Sequence, residues 1–331
     1  MLFTDDSRKA CYKAALHFRL MRITPGSGSA WRPQREIEII AGTPPGAGLD
    51  RTARALAKAL EMTRMLGVPV KVTNMPGDAS RKIWAYLDRH PGDPHVLAIS
   101  SPNVTTDYLT GFSAFDHDAY TPLAILHDEY LAFVVRADSP LATGADLVTR
   151  LRTDASSLTA AVATSRGNPN HLALAKVAMQ AGGDARALRV SAFDSASGAV
   201  ADVMNGGTEI GVVSAASAVE ELRAGTLRAL AVTARSRLAG VYSLAPTWTE
   251  LGVDCVGGVW RGANGASGLT AEQIAFWDGA LAAATASDEW RAAIERNYWS
   301  PLYRGSRELI DYLPRERGEM SALLRSLGLL R

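Results

Sequence analysis

One unit recurs three times in this chain: a short apolar run, a loop of small residues, and a helical pattern that starts at once. That recurrence constrains the fold more than any other feature. In the first copy Ile37–Ala41 leads through residues 42–50 (GTPPGAGLD) into a helical pattern over 51–61. In the second, residues 158–163 lead through 164–170 (TSRGNPN) into 171–180. In the third, residues 188–193 lead through 194–197 (DSAS) into 198–205. Each loop delivers unpaired backbone N–H groups at a helix N-terminus, which suits a small anion. No nucleophile stands beside a base in these loops. The chain therefore reads first as a holder of an anion and only second as an enzyme.

The same alternation continues along the sequence. Residues 68–72, 96–99, 131–135, 209–213 and 227–232 are further apolar or β-branched runs, and a helical stretch over 217–224 stops at Gly225. Continuous apolar strands separated by helices predict open, mostly parallel sheets covered on both faces. Over 51–61, Ala53, Leu56, Ala57 and Leu60 repeat at helical spacing toward the sheet, while Arg51, Arg54 and Lys58 fall on the other side. That helix begins at the carboxyl edge of its strand, where open α/β sheets bind ligands. The C-terminal third is helical. Thr270 and Gln273 form a capping-box pattern, Ser287 and Asp288 start a second helix, and Ser306 or Arg307 starts a third, in which Pro314 is expected to kink or break the pattern.

Composition narrows the function classes. The 331 residues suffice for two domains. A formal net charge of +1 gives no electrostatic case for nucleic acid. Cys11 and Cys255 form no CxxC, and the six histidines show no metal spacing, so no metal is expected. No cofactor is expected either: the Gly46-Ala47-Gly48 stretch meets Arg51 where a dinucleotide fingerprint needs glycine, and no phosphate-binding loop is present. A hydrolase elbow is missing, and no histidine follows His171. No apolar stretch approaches the roughly 18–20 residues of a membrane span. Residues 1–35 carry no apolar core of the about 7–15 residues that an export signal needs, and residues 24–30 (TPGSGSA) read as a linker.

Several motifs together resemble the extracytoplasmic solute-binding proteins of the tripartite tricarboxylate transporter family, also called the Bug family. They are residues 40–50 (IAGTPPGAGLD) with Ala53 and Arg54, 72–77 (VTNMPG), 120–124 (YTPLA), 133–140 (FVVRADSP), 167–172 (GNPNHL), 202–206 (DVMNG), 227–233 (LRALAVT) and 245–252 (APTWTELG). The resemblance implies a type II periplasmic binding-protein fold, α/β throughout, whose two lobes close on a ligand. It divides the chain into a flexible extension over 1–34, domain I over 35–136 with 253–331, and domain II over 137–252. The first crossover is expected near Arg136, Ala137 and Asp138. It implies capture of a small organic acid, a carboxylate that is a dicarboxylate or an aromatic acid in some members, by a monomer that hands it to two membrane subunits. The alternatives are an α/β enzyme acting on a small carboxylated metabolite, or an intracellular sensor without a transporter. A transcription regulator of related fold would need a helix-turn-helix upstream, for which residues 1–34 are too few. The resemblance implies the periplasm; the absence of a signal keeps the cytoplasm as the alternative.

The family pocket maps onto the first two loops. Thr43, Pro45, Gly46, Ala47, Gly48 and Asp50 are candidates from the first, Ser165, Arg166, Gly167, Asn168, Asn170 and His171 from the second. Asp194 and Ser195 are candidates from the third loop, and Asn103 and Thr105 from the loop after 96–99. Most have a second reading. Asp50 contacts the ligand or favours the helix dipole. His171 lines the pocket or orders its loop. Arg166 pairs with a carboxylate or is solvated. Asn168 and Asn170 donate to the ligand or make Asx turns. Ser195 is a helix cap first. Trp260 flanks the cleft or sits in the core or hinge. Three departures, residues 78–82 (DASRK) in place of a Gly-rich run, Phe193-Asp194 in place of Tyr-Lys, and Arg166 itself, imply a ligand outside the family's commonest.

Overall fold

The computed structural model describes residues 31–331. Residues 1–30, and with them most of the expected extension and Cys11, lie outside the described residues. The end of that extension touches the fold. Trp31 meets Phe276 and His95 edge-on, with ring centroids 5.1 and 5.7 Å away, and Gln34 N–H donates to His95 Nε2. The expected boundary at residue 35 therefore moves upstream, because an indole buries too much apolar surface to stay outside.

The chain first lays down β1 (Ile37–Ala41), α1 (Gly48–Thr63), β2 (Val70–Asn74), α2 (Lys82–Leu87), β3 (Val96–Ser100), α3 (Asn103–Leu109) and β4 (Thr121–Asp128). A second series follows: β5 (Leu131–Arg136), α4 (Gly144–Asp154), β6 (Thr159–Ala163), α5 (Pro169–Gln180), β7 (Arg189–Phe193), α6 (Ala196–Met204), β8 (Ile210–Ser214), α7 (Val219–Arg223) and β9 (Leu227–Val232). The chain then returns through β10 (Arg261–Gly265), α8 (Ala271–Thr285), α9 (Asp288–Arg296), β11 (Ser300–Gly305) and α10 (Ser306–Ser326). Two sheets result, ordered β11-β4-β10-β3-β1-β2 and β7-β6-β8-β5-β9.

Each sheet is buried on both faces, as its continuous apolar strands require. In the first lobe Leu56 and Leu60 of α1 meet Ile37, Ile39 and Trp277 on one face, and Ile83 and Leu87 meet Ile40 and Ala98 on the other. In the second, Leu147, Leu174 and Trp248 pack on Phe133, while Val200, Val203 and Tyr242 pack behind Val134 and Val213. The capping box of Thr270 and Gln273 forms, and Ser287 caps α9.

Three expectations are corrected. Pairing is parallel for β1 with β2 and β3, and for β6 with β7 and β8, but antiparallel elsewhere. Strands that carry the chain out of one sheet or back into it, β4, β5 and β10, point against their neighbours. The passage between sheets lies at Glu129 and Tyr130 instead of Arg136–Asp138, because β5 belongs wholly to the second sheet. The return strand segment runs beside it: Tyr130 bridges Gly258, and Val259 N–H donates to Glu129 C=O. Finally, α10 runs unbroken through Pro314. The carbonyl that Pro314 leaves without its helical donor is that of Ile310, an exposed residue, where the loss costs less than in a core.

Candidate functional site

The first loop is held by its own aspartate. Asp50 is fully buried at the start of α1. Its carboxylate accepts from Gly46 N–H (2.7 Å), Arg54 Nε (2.9 Å) and Asn74 Nδ2 (2.8 Å), and its own N–H donates to Thr43 Oγ1. Burial pushes this carboxyl up, but the bonds from Arg54, Gly46 and Asn74 outweigh it and hold it below the ordinary range. Gly46 sits at φ +83°, where a side chain would strain the turn. Ala47 precedes α1 in extended conformation with no side-chain cap, which leaves the first N–H groups of the helix to the cleft.

The second loop closes on itself in the same way. Asn168 caps α5 by accepting from His171 N–H, and its Nδ2 donates to Ala163 C=O. His171 Nδ1 accepts from Gly167 N–H at 2.9 Å. Burial, aided by Arg166, pushes the His171 imidazole down to about 4, so it is neutral at physiological pH and serves as this acceptor. Asn170 Nδ2 reaches Val212 C=O. Thr164 holds φ +62°, a costly conformation for a β-branched residue. It is also where the lobes meet: Asn103 Nδ2 donates to Thr164 Oγ1 (2.9 Å), and Ser165 Oγ donates to Asp107 Oδ1 (2.8 Å). Burial pushes the Asp107 carboxyl up against the pull of Ser165 and Arg81. In the third loop Ser195 Oγ accepts from Gly198 N–H as the cap of α6.

Between the lobes these loops enclose a cleft of about 460 Å³. Of the candidates read from the sequence, Thr43, Pro45, Gly46, Ala47, Gly48, Asn103, Asn168, Asn170, Asp194 and Ser195 line it. Asp50, Thr105, Ser165, Arg166, Gly167 and His171 stand outside its lining. Asp50 and His171 order their loops, Thr105 is buried with its hydroxyl on Asp116, Ser165 is turned toward Asp107, Gly167 lies under Thr110 and Leu324, and Arg166 is exposed. Trp260 is buried in a core cluster with Ile125 and Leu309, and its Nε1 donates to Glu316. Apolar wall comes from Ile83, Trp84, Val104, Leu131 and Val259.

Sequence reading missed other lining residues. Ala79 and Ser80 line the cleft on a run, Asp78 to Ser80, in which every φ is positive. Ser80 comes so close that a Cβ on Gly42 would lie 2.5 Å from its own. Ser100 ends β3 and Ser101 follows it, and Ser214 ends β8 with Ser217 shortly after. Arg51 and Arg261 are the cations of the lining among the described residues. The cue for Arg51 was its place directly after Asp50. Helical periodicity turned it away from the sheet, and in the first turn of α1 that direction is the cleft.

Comparison with known proteins follows this geometry. A family model described as "Tripartite tricarboxylate transporter family receptor" matches residues 52–329. Protein BugT of Bordetella pertussis is 28% identical over 232 residues, which cover 66% of this chain and 67% of that protein. Among solved structures, a TctC solute binding protein from Polaromonas is 26% identical with a TM-score of 0.65, covering 89% of this chain and 99% of the other. A protein of R. palustris solved with adipate is 20% identical with a TM-score of 0.78, covering 89% and 98%.

Proposed function

The chain belongs to the tripartite tricarboxylate transporter receptor family, and from that premise we propose that it captures a small organic acid in the cleft between its lobes and presents it to membrane subunits of such a transporter from the periplasm. The observation that carries this reading is the lining of the cleft. The uncapped N-terminus of α1 in one lobe faces the N-termini of α5 and α6 in the other, so two sources of oriented N–H groups converge on one small volume. A volume near 460 Å³ is ample for a small organic acid. The adipate of the R. palustris protein is a ligand of this class. Domain I and domain II then act as the two jaws of a monomer.

A thermal-shift screen with mono- and dicarboxylates, aromatic acids and their neutral amides tests the proposal. A true ligand at about 100 times its Kd adds roughly 2.7 kcal/mol of stability. An absence of any shift across the library, or turnover of one of its members, would count against a binding role.

A further inference from the structure

The two cations of the cleft are not equivalent. Arg261 Nη2 pairs with Glu129 Oε2 at 2.6 Å, and their side chains are 12% and 1% exposed, so this charge is already neutralised inside the wall. Arg51 forms no ion pair among the described residues. Its one hydrogen bond runs from Nη1 to Gly46 C=O at 3.0 Å, within the first loop. Its Nε and Nη2 are enclosed by the wall and have no acceptor among the described residues. The nearest acid in sequence, Asp50, is fully engaged by Gly46, Arg54 and Asn74. The other acids of the lining are Asp107, which takes Arg81 and Ser165, Glu220, which takes Arg223, and Asp194 and Glu221 from the second lobe. Arg51 thus has no side-chain counter-ion of its own beneath the first loop, where Glu129 is taken by Arg261 and Asp128 also acts on Arg261.

Resting on the acid-capture reading above, we infer that Arg51 is the specificity-determining cation of this site and pairs with a carboxylate of the ligand. Burial lowers the Arg51 pKa from its usual value, with Glu129 acting against it and Arg261 with it, yet a guanidinium keeps its charge at neutral pH. A charge held in a partly desolvated wall without a counter-ion is costly, and an anion entering the cleft relieves that cost. Chemistry favours a carboxylate as this anion. Once turned out from the wall into the cleft, Nε and Nη2 form the edge of the guanidinium that binds both oxygens of a carboxylate at once. Arg136 uses that same edge on Asp138 in this protein, with Nε on one oxygen and Nη2 on the other. The first loop supplies the remaining N–H groups. Charge recognition of this kind selects acids over their amides more strongly than oriented backbone N–H groups alone do.

The test compares wild type, Arg51→Gln and Arg51→Lys by titration calorimetry with adipate, succinate, benzoate and adipamide. The melting temperature of each unliganded protein is measured alongside. Wild type is expected to prefer an acid to adipamide. Arg51→Gln should weaken the best acid at least tenfold while leaving adipamide within about twofold and the unliganded melting temperature undiminished. Arg51→Lys should recover part of the loss, and added salt should weaken wild type more than Arg51→Gln. Equal affinity of Arg51→Gln and wild type for the acid overturns the inference and leaves the binding function standing. So does a lysine variant as poor as glutamine, since the effect would then lie in packing. Failure of every probe to bind wild type overturns both readings.

Discussion

At the scale of single residues, the sequence identified the loops better than the roles within them. His171 carried two readings, of which the loop-ordering one matches what its atoms do, while Asp50, read as a ligand contact or a helix-dipole carboxylate, also clasps its loop. Composition cannot separate the readings, because a carboxylate at a helix start looks the same whether it turns toward a ligand or back onto Gly46. The partner that decides, Asn74, lies 24 residues away on β2. Arg51 was missed for the opposite reason: periodicity says which side of a helix avoids the sheet, not what lies on that side. Asp50→Ala removes the acceptor of three donors and leaves Gly46 N–H unpaired within the loop, while Asn74 Nδ2 keeps only Thr43 C=O. Since Arg54 is half exposed and rehydrates, the expected cost is about 2–3 kcal/mol, read by urea denaturation, with loss of ligand-induced stabilisation beyond that. A variant as stable as wild type, with ligand affinity intact, would show that the clasp is dispensable.

Among elements, legibility followed side-chain chemistry. β1, β3, β5 and β9 were readable because each is an apolar run within a residue or two of its observed limits. β10, at the heart of the first sheet, reads Arg-Gly-Ala-Asn-Gly; it has no β-branched or aromatic residue, and its place between β3 and β4 is imposed by its neighbours. Gly262 is required there, as a Cβ would lie 2.6 Å from Ala124 C=O. The C-terminal helix was readable as a helix but not as what it joins. Leu309 packs with Ile125 and Trp260 of the first lobe, while Met320 and Leu324 enter the core of the second. Between them Glu316 accepts from Trp260 Nε1 (2.7 Å) and Tyr312 OH (2.9 Å). Burial drives its carboxyl up to about 7 against those two bonds, and burial likewise brings Asp128 to about 6. A raised carboxylate stabilises the fold below its unfolded pKa of roughly 4.3, and this contribution is lost as pH climbs through 7. Buried His117 and His171, both pushed down to about 4 by burial, act oppositely: their contribution is complete above about 6.5 and fades as pH falls through 4. Between pH 6 and 8.5 the two sets oppose each other, the carboxylates losing the last of their contribution while the histidines complete theirs. Glu316 alone accounts for a loss of about 1.4 kcal/mol between pH 6 and 8.5, so wild type should fall by about that much relative to Glu316→Gln, which keeps an acceptor for Trp260. Parallel urea midpoints for the two proteins across that range would show that Glu316 is not the titrating group.

For the whole molecule, two α/β lobes and a cleft could be read from the alternation and the motifs, but the point of crossing was misplaced toward Arg136. A strand buried on both faces carries no mark of which sheet it joins. What the sequence could not reveal is how the lobes hold each other, since those contacts link residues about 60 positions apart. Asn103 on Thr164 and Asp107 on Ser165 span the mouth of the cleft, while Tyr130 and Gly258 tie the two connecting segments at its base. The mouth contacts are the natural latch of a closed form. Each hydrogen bond is worth about 0.5–1.5 kcal/mol, so removing both in Asn103→Ala with Ser165→Ala shifts closure by about 1–3 kcal/mol, roughly 5- to 150-fold in population. Asp107 retains Arg81 in that variant, so the fold is expected to survive. Ligand affinity depends on the fraction of molecules able to close, and falls with it. The double variant should therefore show a larger radius of gyration than wild type by small-angle scattering without ligand, bind its acid several-fold more weakly, and reach the wild-type radius when the acid is saturating. Scattering curves that coincide without ligand, together with unchanged affinity, would mean that these contacts hold nothing shut and that closure is governed at the connectors alone.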